Sequence, residues 1–319
     1  MADFLYSVKN IYTDQDRQLR VYYEIPANGI NSDTGFLLFI SGFGGHANSN
    51  IYKKMRRTFT ETYNLVTIQC DYFGYEFMQN YKRPDIDIDL NYLRTKLSTS
   101  ELETFLQKPS VETLAAFDAR IDLKGNEILD ESIGNFADFG PMQAIDNLSA
   151  IYAVAEKLGF YDPRKVIAYG HSHGAYLAYM ANVYNPTLFS EIIDNSGWLY
   201  PQYLHETRNL NYIIGQNVNL RIVFTYMVSN MQVDKGSYFL PALYNNFCNK
   251  TRILSFHGLD DELIAFEKKK KFSESIPNHV LVPITESKVD GDVFGSTKHG
   301  LNSDYVKLFD LAYKSLGEN

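Results

Sequence analysis

Short apolar runs alternate with amphipathic segments along most of the chain, and this pattern predicts its strands and helices. Residues 141–158 carry apolar side chains at intervals of three and four, which is typical of a helix with one face on a core. Gly159 and Pro163 end this helix, and further helices are predicted over residues 175–182 and 303–316. Strands, some continuing into loops, are predicted within residues 4–11, 18–25, 35–45, 64–77, 166–169, 190–198, 251–264 and 279–286.

Strands that alternate with helices indicate an α/β fold, in which helices cover both faces of a mostly parallel central sheet. Two stretches break the alternation. Residues 78–135 are rich in charged and polar side chains and include short helices within 99–118, and residues 198–250 are rich in Tyr, Asn and Leu. We therefore predict a single domain over residues 1–319, with these two insertions forming a cap or lid region.

One turn combines two glycines, two histidines and a serine between a predicted strand and a predicted helix. Its sequence is Gly170-His171-Ser172-His173-Gly174, which fits the pattern G-x-S-x-G. In a nucleophile elbow this turn is strained and lifts the serine hydroxyl to the carboxyl end of a sheet. A chance match is the alternative, so the assignment of Ser172 as nucleophile requires partners elsewhere in the chain.

A serine nucleophile needs a histidine base, which follows the acid in the chain order of this arrangement. Of the seven histidines, only His279 and His299 follow a strand end that could bear the acid. His279 directly precedes the apolar run VLVPI and therefore begins a strand, at the wrong end of the sheet. His299 lies in a loop between the last strand and the last helix, and is the predicted base.

The acid is expected at the end of the strand that precedes this loop. The segment HGLDD places Asp261 four residues after His257, which makes Asp261 the predicted acid and Asp260 the alternative. Asp194 is a more remote candidate, because it ends an earlier strand. An acidic helix start is a compatible interpretation of the same segment, since carboxylates favour the positive end of a helix dipole.

A developing oxyanion needs backbone donors, and the glycine-rich loop in FISGFGG is their predicted source. We predict the N–H groups of Phe43 and His173 as the oxyanion hole, and we expect Gly44 and His171 to contact the substrate. Glycines allow amides to face a site without obstruction by side chains. A phosphate-binding loop is the competing interpretation, but the Walker spacing and its Lys-Ser/Thr pair are absent from the sequence.

Charge and composition narrow the classes of partner. The formal net charge is −8 and the pI is about 5.4, so the basic face of a nucleic-acid-binding protein is not expected. The basic run Lys268–Lys271 is interpreted as a solvated helix face. The chain has two cysteines, and they do not indicate a disulfide framework, because Cys70 ends an apolar strand and Cys248 lies in a polar loop. No apolar run has the length of a membrane span and no leader is recognised, so we expect a cytoplasmic protein. We also expect that it uses no metal or cofactor.

With the glycine-rich loop, Ser172, Asp261 and His299 in this order, the chain resembles the α/β-hydrolases. More narrowly, three segments resemble a bacterial hydrolase-like family of unknown function: NFADFGPMQAIDNLSAIYAV, YGHSHGAYLAYM and KHGLNSDYVKLF. Members of that family are often encoded near genes for flagellin glycosylation and for nonulosonic, sialic-acid-like sugars. Ser41-Gly42 replaces the more usual His-Gly before the oxyanion loop.

The resemblance implies an α/β-hydrolase fold and a small-molecule or glycan ester as substrate. Together with the predicted residues it favours a serine esterase or acyltransferase that works through an acyl-enzyme. Two other functions stay open: a hydrolase-fold protein that only binds, as an accessory factor in surface-glycan or flagellin modification, and a peptidase.

Overall fold

A computed structural model describes residues 2–316 of the chain. Its strands are β1 (Ala2–Lys9), β2 (Asp16–Glu24), β3 (Gly35–Ile40), β4 (Leu65–Cys70), β5 (Pro84–Asp87), β6 (Ile121–Glu127), β7 (Val166–His171), β8 (Glu191–Asn195), β9 (Arg208–Ile214), β10 (Val218–Phe224), β11 (Arg252–Gly258) and β12 (His279–Ile284). Its α-helices are α1 (Asn50–Tyr63), α2 (Leu90–Lys96), α3 (Thr99–Gln107), α4 (Val111–Ala115), α5 (Pro141–Leu158), α6 (His173–Tyr184), α7 (Leu240–Leu243), α8 (Phe266–Glu274) and α9 (Tyr305–Leu316). Short 3-10 helices lie at Tyr75–Met78, Gln202–Leu204, Met227–Asn230, Lys235–Tyr238 and Glu286–Lys288.

Eight strands form one sheet in the order β1-β2-β4-β3-β7-β8-β11-β12. The pairings from β4 to β12 are parallel, and only β1 and β2 are antiparallel to their neighbours. The predicted α/β fold with a mostly parallel sheet is therefore confirmed. Parallel strands end at one edge of a sheet, so the loops after β3, β7, β8 and β11 converge there.

Helices cover both faces of this sheet. In β3, Leu37 and Phe39 face a core that also holds Phe59 of α1 and Phe309 of α9. Phe36 points to the opposite face, because successive side chains of a strand alternate, and its ring meets that of Phe160 at 5.9 Å, just after α5. The strand is buried along its whole length, which explains why its sequence reads as an unbroken apolar run.

Helix α5 has the bounds that its sequence pattern predicts, residues 141–158. Pro141 occupies the first turn, where its missing N–H is not needed. The carboxylate of Asp138 accepts a hydrogen bond from the Met142 N–H at 2.6 Å, which satisfies one of the unpaired donors of that turn. Gly159 ends the helix in the left-handed conformation at φ 59°.

Residues 80–132 and 202–231 form a second compact unit of their own. Its four-stranded sheet has the order β5-β6-β10-β9, and β10 runs parallel to β6 with Val218 opposite Ile121. This sheet joins two stretches that are distant in the chain, and the sequence pattern does not predict it. The interpretation of the two insertions as a cap stays a prediction.

Residues 232–250 belong to the first unit, although the sequence analysis grouped them with the second insertion. Hydrogen bonds to α6 explain this. The Asn182 amide donates to the Tyr244 hydroxyl at 3.0 Å, and the Tyr176 hydroxyl donates to the Tyr238 carbonyl at 2.9 Å. The first unit thus comprises residues 1–79, 133–201 and 232–319, of which the structure describes those between 2 and 316.

The basic run Lys268–Lys271 lies on α8, and the prediction of a solvated face is wrong at one position. Lys268, Lys270 and Lys271 are exposed, but Lys269 is buried. The helix turns by about 100° per residue, which directs Lys269 toward the sheet. There its Nζ lies 2.6 Å from Oδ2 of Asp194.

Both cysteines, Cys70 and Cys248, are free thiols. Over residues 2–316, none of the helices combines the length and the apolar character that crossing a bilayer requires. The same residues contain no group of three or more His, Cys, Asp or Glu side chains arranged to hold a metal ion.

Candidate active site

Ser172 occupies a strained turn between β7 and α6. Its backbone has φ 54° and ψ −115°, a conformation that residues with side chains rarely adopt. The glycines on either side allow the strand and the helix to approach closely. A Cβ on Gly174 would lie 2.3 Å from the Ile40 carbonyl oxygen, and one on Gly170 would lie 2.4 Å from the Ala175 nitrogen. This close packing is what the G-x-S-x-G pattern provides.

We expect Gly174→Ala to lower the free energy of unfolding by about 3 kcal/mol or more, because its Cβ would overlap backbone rather than a movable side chain. Gly236→Ala is the matched control. That glycine is exposed, and its nearest contact to an added Cβ is a side-chain oxygen at 3.3 Å, so a change within about 1 kcal/mol is expected. Chemical denaturation measures both. Equal losses would show that the turn is not close-packed.

The three residues predicted as nucleophile, base and acid form one chain of hydrogen bonds. Oγ of Ser172 lies 2.7 Å from Nε2 of His299, and Nδ1 of His299 lies 2.8 Å from Oδ2 of Asp261. An ionised carboxylate only accepts, so Nδ1 carries the proton and Nε2 accepts from the serine hydroxyl. Oδ1 of Asp261 accepts from the backbone N–H groups of Leu263 and Ile264, each at 2.9 Å, which fixes the carboxylate.

Charge favours the ionised form of Asp261. Burial by itself raises the pKa of this carboxyl group, but its hydrogen bond to His299 and the charge of that ring outweigh burial and lower the pKa. His257 adds a weaker contact, with Nε2 3.5 Å from Oδ2 of Asp261. The Asp261 carboxylate can therefore hold the His299 ring in one tautomer and stabilise it when it gains a proton.

The two alternative acids have other partners. Oδ2 of Asp260 accepts from the Thr297 hydroxyl at 2.5 Å, and the Asp260 N–H donates to the Thr297 carbonyl at 3.0 Å. Asp260 thus ties the end of β11 to the loop that bears His299. Asp194 is buried and pairs with Lys269. His279 begins β12, as predicted, and its Nε2 lies 2.7 Å from the Ser255 hydroxyl.

Two glycines set the position of the His299 loop. A Cβ on Gly258, the last residue of β11, would lie 1.9 Å from the Thr297 carbonyl oxygen, so the loop lies directly against the strand end. Gly300 has φ 75°, which favours glycine, and its added Cβ would lie 2.8 Å from Cε1 of His171. The base is therefore carried by a loop that is packed on both sides.

The two histidines of the elbow have different surroundings, and His173 is buried whereas His171 is half-buried. The His173 ring packs among aromatic side chains, tilted against Trp198 at 5.0 Å, and its Nε2 lies 2.7 Å from Oε1 of Gln143. Its side chain is therefore part of the core. Its backbone N–H, at the first position of α6, has no acceptor within the helix and is available for the predicted oxyanion role.

The His171 ring packs edge-on against Tyr305 at 5.0 Å, beside the His299 ring at 6.3 Å. Its predicted contact with substrate stays a prediction. Burial lowers the pKa of His173 to about 3, and burial with the neighbouring His299 lowers that of His171 to about 4. Both rings are thus neutral at physiological pH.

The glycine-rich loop follows β3, whose Ile40 is paired with Gly170 of β7, so the loop lies beside the elbow. Gly44 has φ 77°, and the Gly45 N–H donates to the Gly42 carbonyl at 3.0 Å, which closes a tight turn around Phe43. The Phe43 ring packs against Trp198 at 5.9 Å. The oxyanion role of the Phe43 N–H and the substrate contact of Gly44 stay predictions.

The residues after β8 that contact the elbow were not predicted from the sequence. The Asn195 carbonyl accepts from the Ser172 N–H at 2.8 Å, and the Trp198 N–H donates to the Ser172 carbonyl at 3.3 Å. The Asn195 side chain donates to the Ser303 hydroxyl at 2.8 Å, in the segment after His299. A signal existed, because the segment DNSGW follows a predicted strand and reaches the same edge of the sheet as Ser172.

Comparison with solved structures shows the same fold in esterases. Est1E from Butyrivibrio proteoclasticus with bound ferulic acid has 16% sequence identity and a TM-score of 0.53, covering 94% of this chain and 95% of that one. Thermogutta terrifontis esterase 2 phosphonylated by sarin has 15% identity and a TM-score of 0.51, covering 98% and 94%. At such identities the likeness concerns the fold, which is that of the α/β-hydrolases.

No curated protein matches the chain. A family model does match, over residues 9–242, which is more than half of the sequence and includes the elbow at Ser172. Its description is "Protein of unknown function (DUF2920)". The chain is a member of this DUF2920 family, with an α/β-hydrolase fold.

Proposed function

We propose that this chain is a serine hydrolase that cleaves an ester through an acyl-enzyme on Ser172. The observation that carries the proposal is the continuous hydrogen-bond chain from Ser172 through His299 to Asp261, at 2.7 Å and 2.8 Å. A serine hydroxyl is a weak nucleophile at neutral pH, and an oriented histidine within hydrogen-bond distance is what activates it.

In the first step, Oγ of Ser172 bonds to the ester carbonyl carbon while its proton passes to Nε2 of His299. The carbonyl π electrons move onto oxygen, and the N–H groups of Phe43 and His173 stabilise that charge. Each such donor contributes about 3–4 kcal/mol to the barrier reduction in comparable sites. The tetrahedral intermediate then reforms the carbonyl, the alcohol oxygen leaves, and His299 returns the proton to it.

In the second step, an acceptor hydroxyl attacks the acyl carbon while His299 takes its proton. The bond to Oγ breaks, and the proton returns to Ser172. If the acceptor is water, the product is a free acid, and the chain acts as an esterase. If the acceptor is a sugar hydroxyl, the product is a new ester, and the chain acts as an acyltransferase. The same residues serve both reactions.

The substrate that we propose is an O-acyl group on a carbohydrate, such as a nonulosonic acid of a flagellin or surface glycan. Its support is the resemblance carried by segments around the elbow, including YGHSHGAYLAYM. Est1E, a structural neighbour, binds ferulic acid, so an aromatic acyl ester is a useful comparison substrate.

A panel of esters tests this proposal: short-chain p-nitrophenyl esters, O-acetylated nonulosonic acids and a feruloyl ester. Release of acid is measured for the wild type and for Ser172→Ala, with and without added sugar acceptors. We expect wild-type turnover that the variant lacks, and preference for acylated sugars. Equal turnover by both proteins would contradict the role of Ser172, and absence of turnover by the folded wild type on every ester would favour a binding protein.

The pH profile of kcat/KM makes a separate prediction. The base must be neutral to accept a proton, so activity should rise with pH until the base is deprotonated. Burial lowers the pKa of His171 to about 4 and that of His173 to about 3, so neither ring would produce a step near neutral pH. His171→Asn should therefore keep the step. A flat wild-type profile, or a profile that loses its step in His171→Asn, would contradict the role of His299.

A further inference from the structure

The basic run on α8 contains one buried lysine, Lys269, and the proposed mechanism gives it no role. Lys269 is buried, and its Nζ donates to Oδ2 of Asp194 at 2.6 Å and to the Gly197 carbonyl at 3.0 Å. It also lies over the Tyr179 ring, 5.0 Å from the centroid. A buried ammonium group is costly unless it is paired and hydrogen-bonded, so this arrangement requires an explanation beyond the helix itself.

Asp194 is held in its ionised form by the same cluster. Besides Lys269, its Oδ2 accepts from the hydroxyls of Ser255 at 2.7 Å and Tyr179 at 2.8 Å. Burial by itself raises the pKa of Asp194, but the Lys269 charge and these hydrogen bonds outweigh it and lower the pKa to about 2. The Asp194 carboxylate is therefore ionised at every pH at which the protein is assayed.

The Asp194–Lys269 ion pair forms hydrogen bonds with both the N–H and the carbonyl of Gly197. Oδ1 of Asp194 accepts from the Gly197 N–H at 2.6 Å, and Lys269 binds the Gly197 carbonyl. A Cβ on Gly197 would lie 2.6 Å from Oδ1 of Asp194 and 2.8 Å from Cβ of Ala175, so only glycine fits there without a shift. We call residues 194–198 the brace turn.

The brace turn forms hydrogen bonds with the backbone of Ser172 in the elbow. The Asn195 carbonyl accepts from the Ser172 N–H, and the Trp198 N–H donates to the Ser172 carbonyl, at 2.8 Å and 3.3 Å. Its Asn195 side chain also reaches Ser303 at 2.8 Å, and the Ser303 hydroxyl donates to the Gly300 carbonyl at 3.3 Å, next to His299. The turn thus touches both the nucleophile and the loop that carries the base.

We propose that Lys269 is a positioning residue for the reaction at Ser172. Its ammonium group fixes the brace turn through Asp194 and Gly197. The brace turn then holds the backbone of Ser172 and the His299 loop in their positions relative to each other. The catalytic part of this inference rests on the proposed function. The geometric part, that Lys269 fixes the brace turn, does not.

The chain offers a reporter for the turn, because Trp198 is its only tryptophan and is 5% exposed. Its emission wavelength and its quenching by acrylamide report the turn without any turnover. The test compares Lys269→Met, which removes the charge, with Lys269→Met/Asp194→Asn, which leaves no unpaired buried charge and keeps an acceptor for the Gly197 N–H. Lys270→Met, an exposed neighbour on the same helix, is the matched control.

We expect the double variant to regain much of the stability that the single variant loses. It should still show red-shifted Trp198 emission and labelling by a fluorophosphonate that is about ten- to a hundredfold slower, since displacements near 1 Å cost rates of this order. Lys270→Met should match the wild type in all three measurements. If Lys269 contributed only to stability, the emission of Trp198 and the labelling rate would recover in the double variant together with the stability.

Wild-type emission and labelling in the double variant would overturn the inference, whatever the single variant does. Slow labelling with unchanged Trp198 emission would overturn it too, because Lys269 would then act by another route. If the wild type itself is not labelled, the proposed function fails, and the emission of Trp198 alone decides whether Lys269 fixes the turn.

Discussion

Ser172→Ala is expected to lower kcat/KM for ester cleavage by about 10⁴–10⁶-fold, since loss of a nucleophile removes the covalent route altogether. The hydroxyl has one strong contact, the 2.7 Å hydrogen bond to His299. Its removal should therefore leave the unfolding midpoint in denaturant nearly unchanged. Steady-state kinetics with a p-nitrophenyl ester, with denaturation of both proteins, measures the two quantities.

Ser149→Ala is the matched control for this variant. Ser149 lies on α5, and its hydroxyl donates to the Ile145 carbonyl at 2.8 Å. The Ser149→Ala variant therefore loses a comparable hydrogen bond at a position away from the elbow. We expect activity within about twofold of the wild type, as for most substitutions outside a site. Substantial residual turnover in Ser172→Ala would mean that another group attacks the ester.

Asp261→Asn is expected to lower the rate by about 10⁴-fold, because an amide cannot stabilise the protonated ring and favours the wrong tautomer of His299. Asp260→Asn is its neighbour and its control. Its partner is the Thr297 hydroxyl, and an amide oxygen can still accept that hydrogen bond, so we expect a loss of no more than about tenfold. Single-turnover kinetics separates an effect on acylation from one on later steps.

Equal losses in the two variants would contradict the assignment of the acid, as would a larger loss at Asp260. His299→Ala should match Asp261→Asn or exceed it, because the proton acceptor itself is then missing. A fast His299→Ala enzyme would remove the base from the account, and the hydrogen-bond chain would then have a structural role only.

The predicted nucleophile, base and acid lie together because sequence order and strand ends constrain them strongly. A parallel sheet brings every strand's carboxyl end to one edge, so Ser172 after β7 and Asp261 after β11 have only a small region in which to meet. The strained turn at Ser172 also needs glycines that are visible in the sequence. Local chemistry and global topology therefore point to the same residues.

The features that the sequence did not predict depend on contacts between distant segments. Lys269 has the same local sequence as its exposed neighbours, and only its register on α8 directs it to Asp194. The sheet of the second unit pairs β6 with β10, and strands that are joined by long connections leave little local signal. The His173 side chain is core because of the rings around it, which come from several loops.

The most direct test of the account is to locate a covalent label. The wild type is treated with a fluorophosphonate, the class of reagent to which sarin belongs, and is then digested and analysed by mass spectrometry. Sarin phosphonylates Thermogutta terrifontis esterase 2, a structural neighbour. The account predicts one phosphonyl group, on the peptide that contains Ser172, and no labelling of Ser172→Ala. The absence of label on the folded wild type, or a label on a different residue, would contradict it.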